Sequence, residues 1–141
     1  MVQVVQVNFV VSDSERSRDF YQRLGCAFRP RSRVDVEAVE AWVSTGPGVT
    51  IVLHSPEFAA WWDASTPGPA PGGPQVDLEL DSAHQLDAVV GELSRAGTTI
   101  AKEPTDMPWG QRFAIIIDPD GHRIGLKAPM ADSPRGSIPR G

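Results

Sequence analysis

The feature that most limits what this chain can fold into is a repeated order of segments. Residues 4–11, VVQVNFVV, are rich in β-branched side chains and read as a strand. SDSERSRDFYQRLG follows with the character of a helix. Ser12 and Glu15 have capping-box spacing, and Gly25 is placed to end the helix. Three strand-like runs come next, near 26–31, 36–44 and 48–54, and the aromatic stretch PEFAAWWDAS (56–65) reads as a short helix. After the Pro/Gly-rich STPGPAPGGP (65–74) the order recurs. QVDLELD (75–81) alternates like a strand. SAHQLDAVVGELSRAG (82–97) places Leu86, Val89, Val90 and Leu93 at helical spacing, with Gly97 after its end. Strands near 98–103, 111–117 and 122–128 complete the set. Each half is βαβββ, so the fold class is α+β, built from two modules that complete one another's cores. The expected organisation is one domain over 1–128, with modules at about 1–64 and 75–128, a linker at 65–74, and a flexible tail at 129–141.

Composition narrows the partners. The formal net charge is −5, which argues against nucleic acid. No apolar run approaches the roughly 20 residues of a membrane helix, and the N-terminal stretch has no basic n-region or cleavage site. A single cysteine, Cys26, excludes an internal disulfide and points to a reduced, cytoplasmic setting. Cys26 itself reads as a small buried apolar residue. No Ser-His-Asp or Cys-His arrangement and no phosphate-binding glycine loop is evident.

Strand alternation sorts the faces. In the first strand Val5, Val7, Phe9 and Val11 oppose Gln6, Asn8 and Val10; in the fifth Val76, Leu78 and Leu80 oppose Gln75, Asp77 and Glu79. The apolar faces should pack under the helices. In the third strand Val39, Ala41 and Val43 are expected in the core, leaving Glu40 and Trp42 on the polar face, and His54 shares a side with Thr50 and Val52. PTDMPWGQR (104–112) reads as a loop that offers Trp109 and Arg112, with Trp61 and Trp62 at a rim. His84 and His122 read as solvated surface residues. In IIIDPDGHRIGL (115–126), Asp118 and Asp120 can bond their own backbone, Pro119 presets φ, and Gly121 accepts a positive φ.

These stretches resemble a known family. VNFVVSDSERSRDFYQRLGCAF is similar to the opening of the vicinal oxygen chelate superfamily, which includes glyoxalase I, extradiol dioxygenases and bleomycin-resistance proteins. DPDGHRIGL resembles its closing hairpin, and PWGQRFAIIIDPDG looks especially like the antibiotic-binding members. The resemblance spans about residues 4–128. It implies paired βαβββ modules forming a curved, cup-shaped mixed sheet with helices outside. It also implies metal ligands, in the enzymes, on the first and last strand of each module. Counting back from Asp13 and Asp81, the first-strand positions are Gln6 and Gln75, and the last-strand positions fall at Val52 in TIVLH and Gly125 in RIGLK. Two neutral amides, an isopropyl group and a hydrogen should not hold a catalytic divalent ion, which needs about three or four anionic or imidazole donors. A metal site built from His54 with Asp77 or Glu79 is the remaining alternative.

The expectation is therefore a non-catalytic protein that binds a planar natural product or antibiotic, without metal or other cofactor. Its ligand would meet Gln6, Asn8, Trp42, His54, Gln75, Asp77, Glu79, Trp109 and Arg112. The family likeness implies a homodimer. The alternatives are a metal-free isomerase or epimerase using Glu40, Asp77 or Glu79 as general base, and a metal-dependent lyase or dioxygenase.

Overall fold

The computed structural model describes residues 4–65, 68–69 and 75–130. The chain divides into two units, Met1–Ala70 and Pro71–Gly141. The expected linker lies largely, and residues 131–141 of the expected tail wholly, outside the described residues.

The first unit runs β1 (Gln6–Val10), α1 (Ser14–Arg23), β2 (Phe28–Arg31), β3 (Ala41–Ser44), β4 (Thr50–His54) and α2 (Pro56–Trp62). Its sheet has the order β1-β4-β3-β2, with β1 parallel to β4 and the other pairs antiparallel. The second unit runs β5 (Val76–Glu79), α3 (Ala83–Arg95), β6 (Ile100–Asp106), β7 (Gln111–Ile117) and β8 (Arg123–Pro129). Its sheet has the order β5-β8-β7-β6, with the same mixture of pairings. Each unit is thus a βαβββ module carrying a four-stranded mixed sheet, and the protein is α+β. Pro129, expected in the tail, is the last residue of β8.

The two long helices start and stop by the same chemistry. Asp13, not Ser12, caps α1: its side chain accepts from the Arg16 amide at 3.1 Å. The carboxylate also faces the positive end of the helix, which the Ser12 hydroxyl could not match. Ser82 caps α3 by accepting from the Gln85 amide at 3.1 Å, while Gln85 Oε1 accepts from the Asp81 amide at 2.9 Å. The structural equivalent of Asp13 is therefore Ser82, not Asp81. At the other ends Gly25 and Gly97 adopt φ of 105° and 93°. The amides of Cys26 and Thr98 reach back to the carbonyls of Tyr21 and Leu93, closing two matching Schellman turns.

The helices bury one face of each sheet. Tyr21 of α1 is fully buried and stacks on Phe9 of β1, while Phe20 meets Tyr21 edge-on. In the second unit Leu86, Val90 and Leu93 of α3 are buried, as are Ile124, Leu126, Ala114 and Ile116 of β8 and β7. Val5, assigned to the packed face from sequence, is exposed, because it precedes the first paired residue of β1. Cys26 is half-buried, and burial pushes its thiol pKa up, so the unreactive protonated form is favoured.

Candidate functional site

Registers fix which side chains share the face turned away from each long helix. In the first unit Asn8 lies opposite Val52, Val52 opposite Val43, and Val43 opposite Arg29. One step along, Val10 lies opposite His54, His54 opposite Ala41, and Ala41 opposite Arg31. The matching rows of the second unit are Asp77–Gly125–Ile115–Lys102 and Glu79–Lys127–Phe113–Thr105. The rows make Val52 and Gly125 equivalent, each facing the residue two beyond a first-strand glutamine.

This geometry corrects the third strand. Trp42 pairs with Leu53, which pairs with Phe9, so the indole lies on the α1 side. The Arg18 guanidinium of α1 stands 4.3 Å above its ring. Ala41 and Val43 are buried as expected, but on the opposite face, where they cluster with Val52. Both faces of AWVS are at least half-buried, so alternation alone could not say which one α1 covers. Glu40 does not line an open polar face either. It is buried, and the Arg33 guanidinium grips its carboxylate through two bonds of 2.8 and 2.6 Å. Those bonds hold the Glu40 carboxyl below the usual range and raise the Arg33 pKa.

His54 closes the row on the far face. Its ring meets Phe58 of α2 edge-on at 5.0 Å between centroids. Burial, and then the positive charge of Arg31, push its pKa down. Phe58 in turn touches Trp61, and the Arg33 guanidinium lies 5.2 Å from the Trp61 ring. Trp61 and Trp62 are both exposed. Gln6 and Asn8 are exposed and joined by a 2.7 Å bond from Gln6 Nε2 to Asn8 Oδ1.

In the second unit Gln75 Nε2 donates to Asp77 Oδ1 at 2.9 Å, and Lys127 Nζ stands 3.4 Å from Asp77 Oδ2. Together they fold the carboxylate over Gly125. A Cβ added at Gly125 would overlap Asp77 Oδ1 and lie 2.9 Å from Gln75 Nε2. The missing side chain is thus what makes room for this pair. Glu79 is exposed beside Lys127. The same face carries Phe113 and Ile115, both half-buried, and Gln111, which is buried. Gln111 Oε1 accepts from Trp109 Nε1 at 3.0 Å. That bond holds the half-exposed indole on a turn closed by Gly110 at φ 91° and by the Gly110 amide on the Met107 carbonyl.

Arg112 is a second correction. Alternation puts it with Ala114 on the α3 side, where it bonds Asp87 of α3 at 2.7 Å and Asp106 at 3.0 Å. The two carboxylates raise its already high pKa further. Its side chain braces α3 against the hairpin rather than facing a ligand from the loop. His122, expected at the solvated surface, instead places Nδ1 2.8 Å from the buried Asp118 carboxylate, which also accepts from the backbone of Asp120 and His122.

The family's metal can be tested against these donors. Gln6 and Gln75 offer only neutral amide oxygens, Val52 and Gly125 supply no side-chain donor, and among the described residues no three of His, Cys, Asp and Glu come together. The donor set does not fit a divalent ion. Arg29, Arg31, Phe113, Ile115 and Lys127 were not singled out from sequence. The alternation of FRPR and of QRFAIII carried that information, but neither run shows which parity faces the helix.

The chain belongs to the Glyoxalase/Bleomycin resistance protein/Dioxygenase superfamily, whose pattern matches residues 3–126. An uncharacterized protein of Mycobacterium bovis is 26% identical over 137 residues, spanning 89% of this chain and 82% of the relative. A glyoxalase-related enzyme from Fulvimarina pelagi superposes with a TM-score of 0.74 at 19% identity, covering 99% of each chain. TnmS3, an antibiotic-binding protein from Streptomyces sp. CB03234, superposes with a TM-score of 0.63 at 28% identity, covering 92% of this chain and 97% of that one.

Proposed function

We propose that the protein binds a flat, partly polar small molecule without transforming it, in the manner that the likeness to TnmS3 suggests. The carrying observation is the state of the last-strand position in the second unit. Where the family's metal enzymes would place a ligand, Gly125 is covered by the Gln75–Asp77 pair. On the same face Ile115 lies opposite Gly125, Phe113 follows two residues along β7, and Gln111 with its tethered Trp109 indole stands at the start of that strand, apolar surfaces with a few polar anchors of the kind that hold planar ligands. Glu40 is disfavoured as a general base. Proton abstraction from carbon calls for a raised carboxyl pKa, and the Arg33 bonds push the other way. The cell's use of such binding would be sequestration, with a cytoplasmic homodimer as the working form.

The test is a tryptophan-fluorescence titration with planar polycyclic antibiotics, on wild type and Trp109→Ala, with and without chelator. Binding should survive chelation, and Trp109→Ala should weaken it by about 1–3 kcal/mol. Turnover of the compound, or binding that requires a stoichiometric metal, would overturn the proposal.

A further inference from the structure

Resting on the reading that the protein binds a flat small molecule, we infer that the first unit by itself holds a site for an acidic group of such a molecule. The oxyanion, a carboxylate in the first instance, would lie between Arg31 and His54, with Arg29 alongside. Arg29 and Arg31 are alternate residues of β2, so both project on one face. Their partners Val43 and Ala41 place that face with Val52 and His54, away from α1. Arg31, Ala41 and His54 form one row across three strands. With about 4.8 Å between strands, guanidinium and imidazole start from backbones about 10 Å apart, with only a methyl group between them. A carboxylate bridging the two is of the right size, and guanidinium offers the paired donors that suit it.

The charge pattern supports this choice. The chain is net −5, yet none of the strand residues on this face is a carboxylate. Glu40, the nearest acid in sequence to the row, is tied to Arg33 instead. Arg31 acts on the His54 imidazole, a neighbour that its charge disfavours when protonated. A bound oxyanion would turn that opposition into two attractions. The second unit repeats the scaffold with the opposite chemistry: where the first has Asn8 and Val10, it has Asp77 and Glu79. The oxyanion therefore belongs to the first sheet and not to the second.

Two compounds of nearly the same shape, 2-naphthoate and 2-naphthamide, separate charge from stacking. Binding to the full chain is followed by tryptophan fluorescence and by the NMR resonances of the His54 ring. Naphthoate should bind about tenfold more tightly than naphthamide, the worth of one charge-assisted contact. It should also shift the His54 resonances and raise the His54 pKa. Arg31→Gln should abolish the preference, while Arg16→Gln, at an exposed position of α1, should leave it intact. Equal affinities in wild type would overturn the site and leave the binding function to be judged by the antibiotic titration. That result would mark the arginines as charges that keep the edge strand β2 from pairing with other chains. An equal loss in both arginine variants would assign the preference to general charge and likewise overturn it. If neither compound binds or moves His54, the subsite falls, and the antibiotic titration then judges the binding function separately.

Discussion

Gly125 shows how much can rest on one missing side chain. The sequence shows a glycine where the resemblance would put a donor, but not what fills the space. Asp77 and Gln75 are two residues apart on a strand and both polar, a pattern that equally describes a solvated edge. Only the register that seats Asp77 opposite Gly125 reveals that one leans into the gap left by the other. The contact also predicts an outcome. The φ of Gly125 is not positive, so alanine meets no backbone strain there, and its Cβ meets side-chain atoms only, those of Asp77 and Gln75. Restricting the unfolded chain favours alanine by about 0.4–1 kcal/mol, which should offset the loss of the Gln75–Asp77 bond. Gly125→Ala should therefore leave the unfolding free energy from urea titration within about 1 kcal/mol of wild type. A larger loss would mean that Asp77 cannot turn aside and is fixed by more than Gln75 and Lys127.

Helices and their ends were more legible than strand faces. The boundaries of α1 and α3 follow from capping chemistry that is local in sequence, and the only slip there was one residue, Ser12 for Asp13. Strand parity is not local. VDLE alternates cleanly between apolar and carboxylate, so β5 could be sorted by eye. AWVS is apolar on both sides, and its orientation depends on Phe9, Leu53 and Arg18, which come from three other elements. Arg112 failed for a similar reason: its partner Asp87 is 25 residues away on α3. At this scale the capping assignment is the one to test. Ser82→Ala removes the acceptor for the Gln85 amide and should cost about 1 kcal/mol in a urea or thermal unfolding curve. Ser12→Ala should cost far less than Asp13→Ala. If Ser12→Ala proves the costlier, the assignment of the α1 cap is wrong.

Across the whole molecule the duplication was plain because two copies of one element order confirm each other, but the copies have diverged in charge. Among the described residues no helix is long and apolar enough to cross a membrane, and the groups whose pKa values move within the working range lie in the first unit. His54 and Glu40 are both pushed down, and Cys26 is pushed up. The signs combine into a definite pH profile. A histidine held below its unfolded pKa stays neutral in the native state while the unfolded chain takes up a proton. Its contribution is thus present above an unfolded pKa of about 6.5 and is lost as pH falls through that value. Glu40 adds its loss lower down, as pH falls from about 4.3 through its depressed native pKa. Cys26 acts at the other end, where the unfolded thiol ionises first and stability falls as pH rises beyond about 8.5. Stability should therefore form a plateau near neutrality, decline in two steps on the acid side, and decline once on the basic side. Urea unfolding measured from about pH 2 to 10 would trace the profile. His54→Gln, which cannot titrate, should flatten the first acid step and leave the second. If the slope between pH 6.5 and 5 is unchanged in that variant, the step belongs to another group, and His54 does not feel the burial and the Arg31 charge that set it apart.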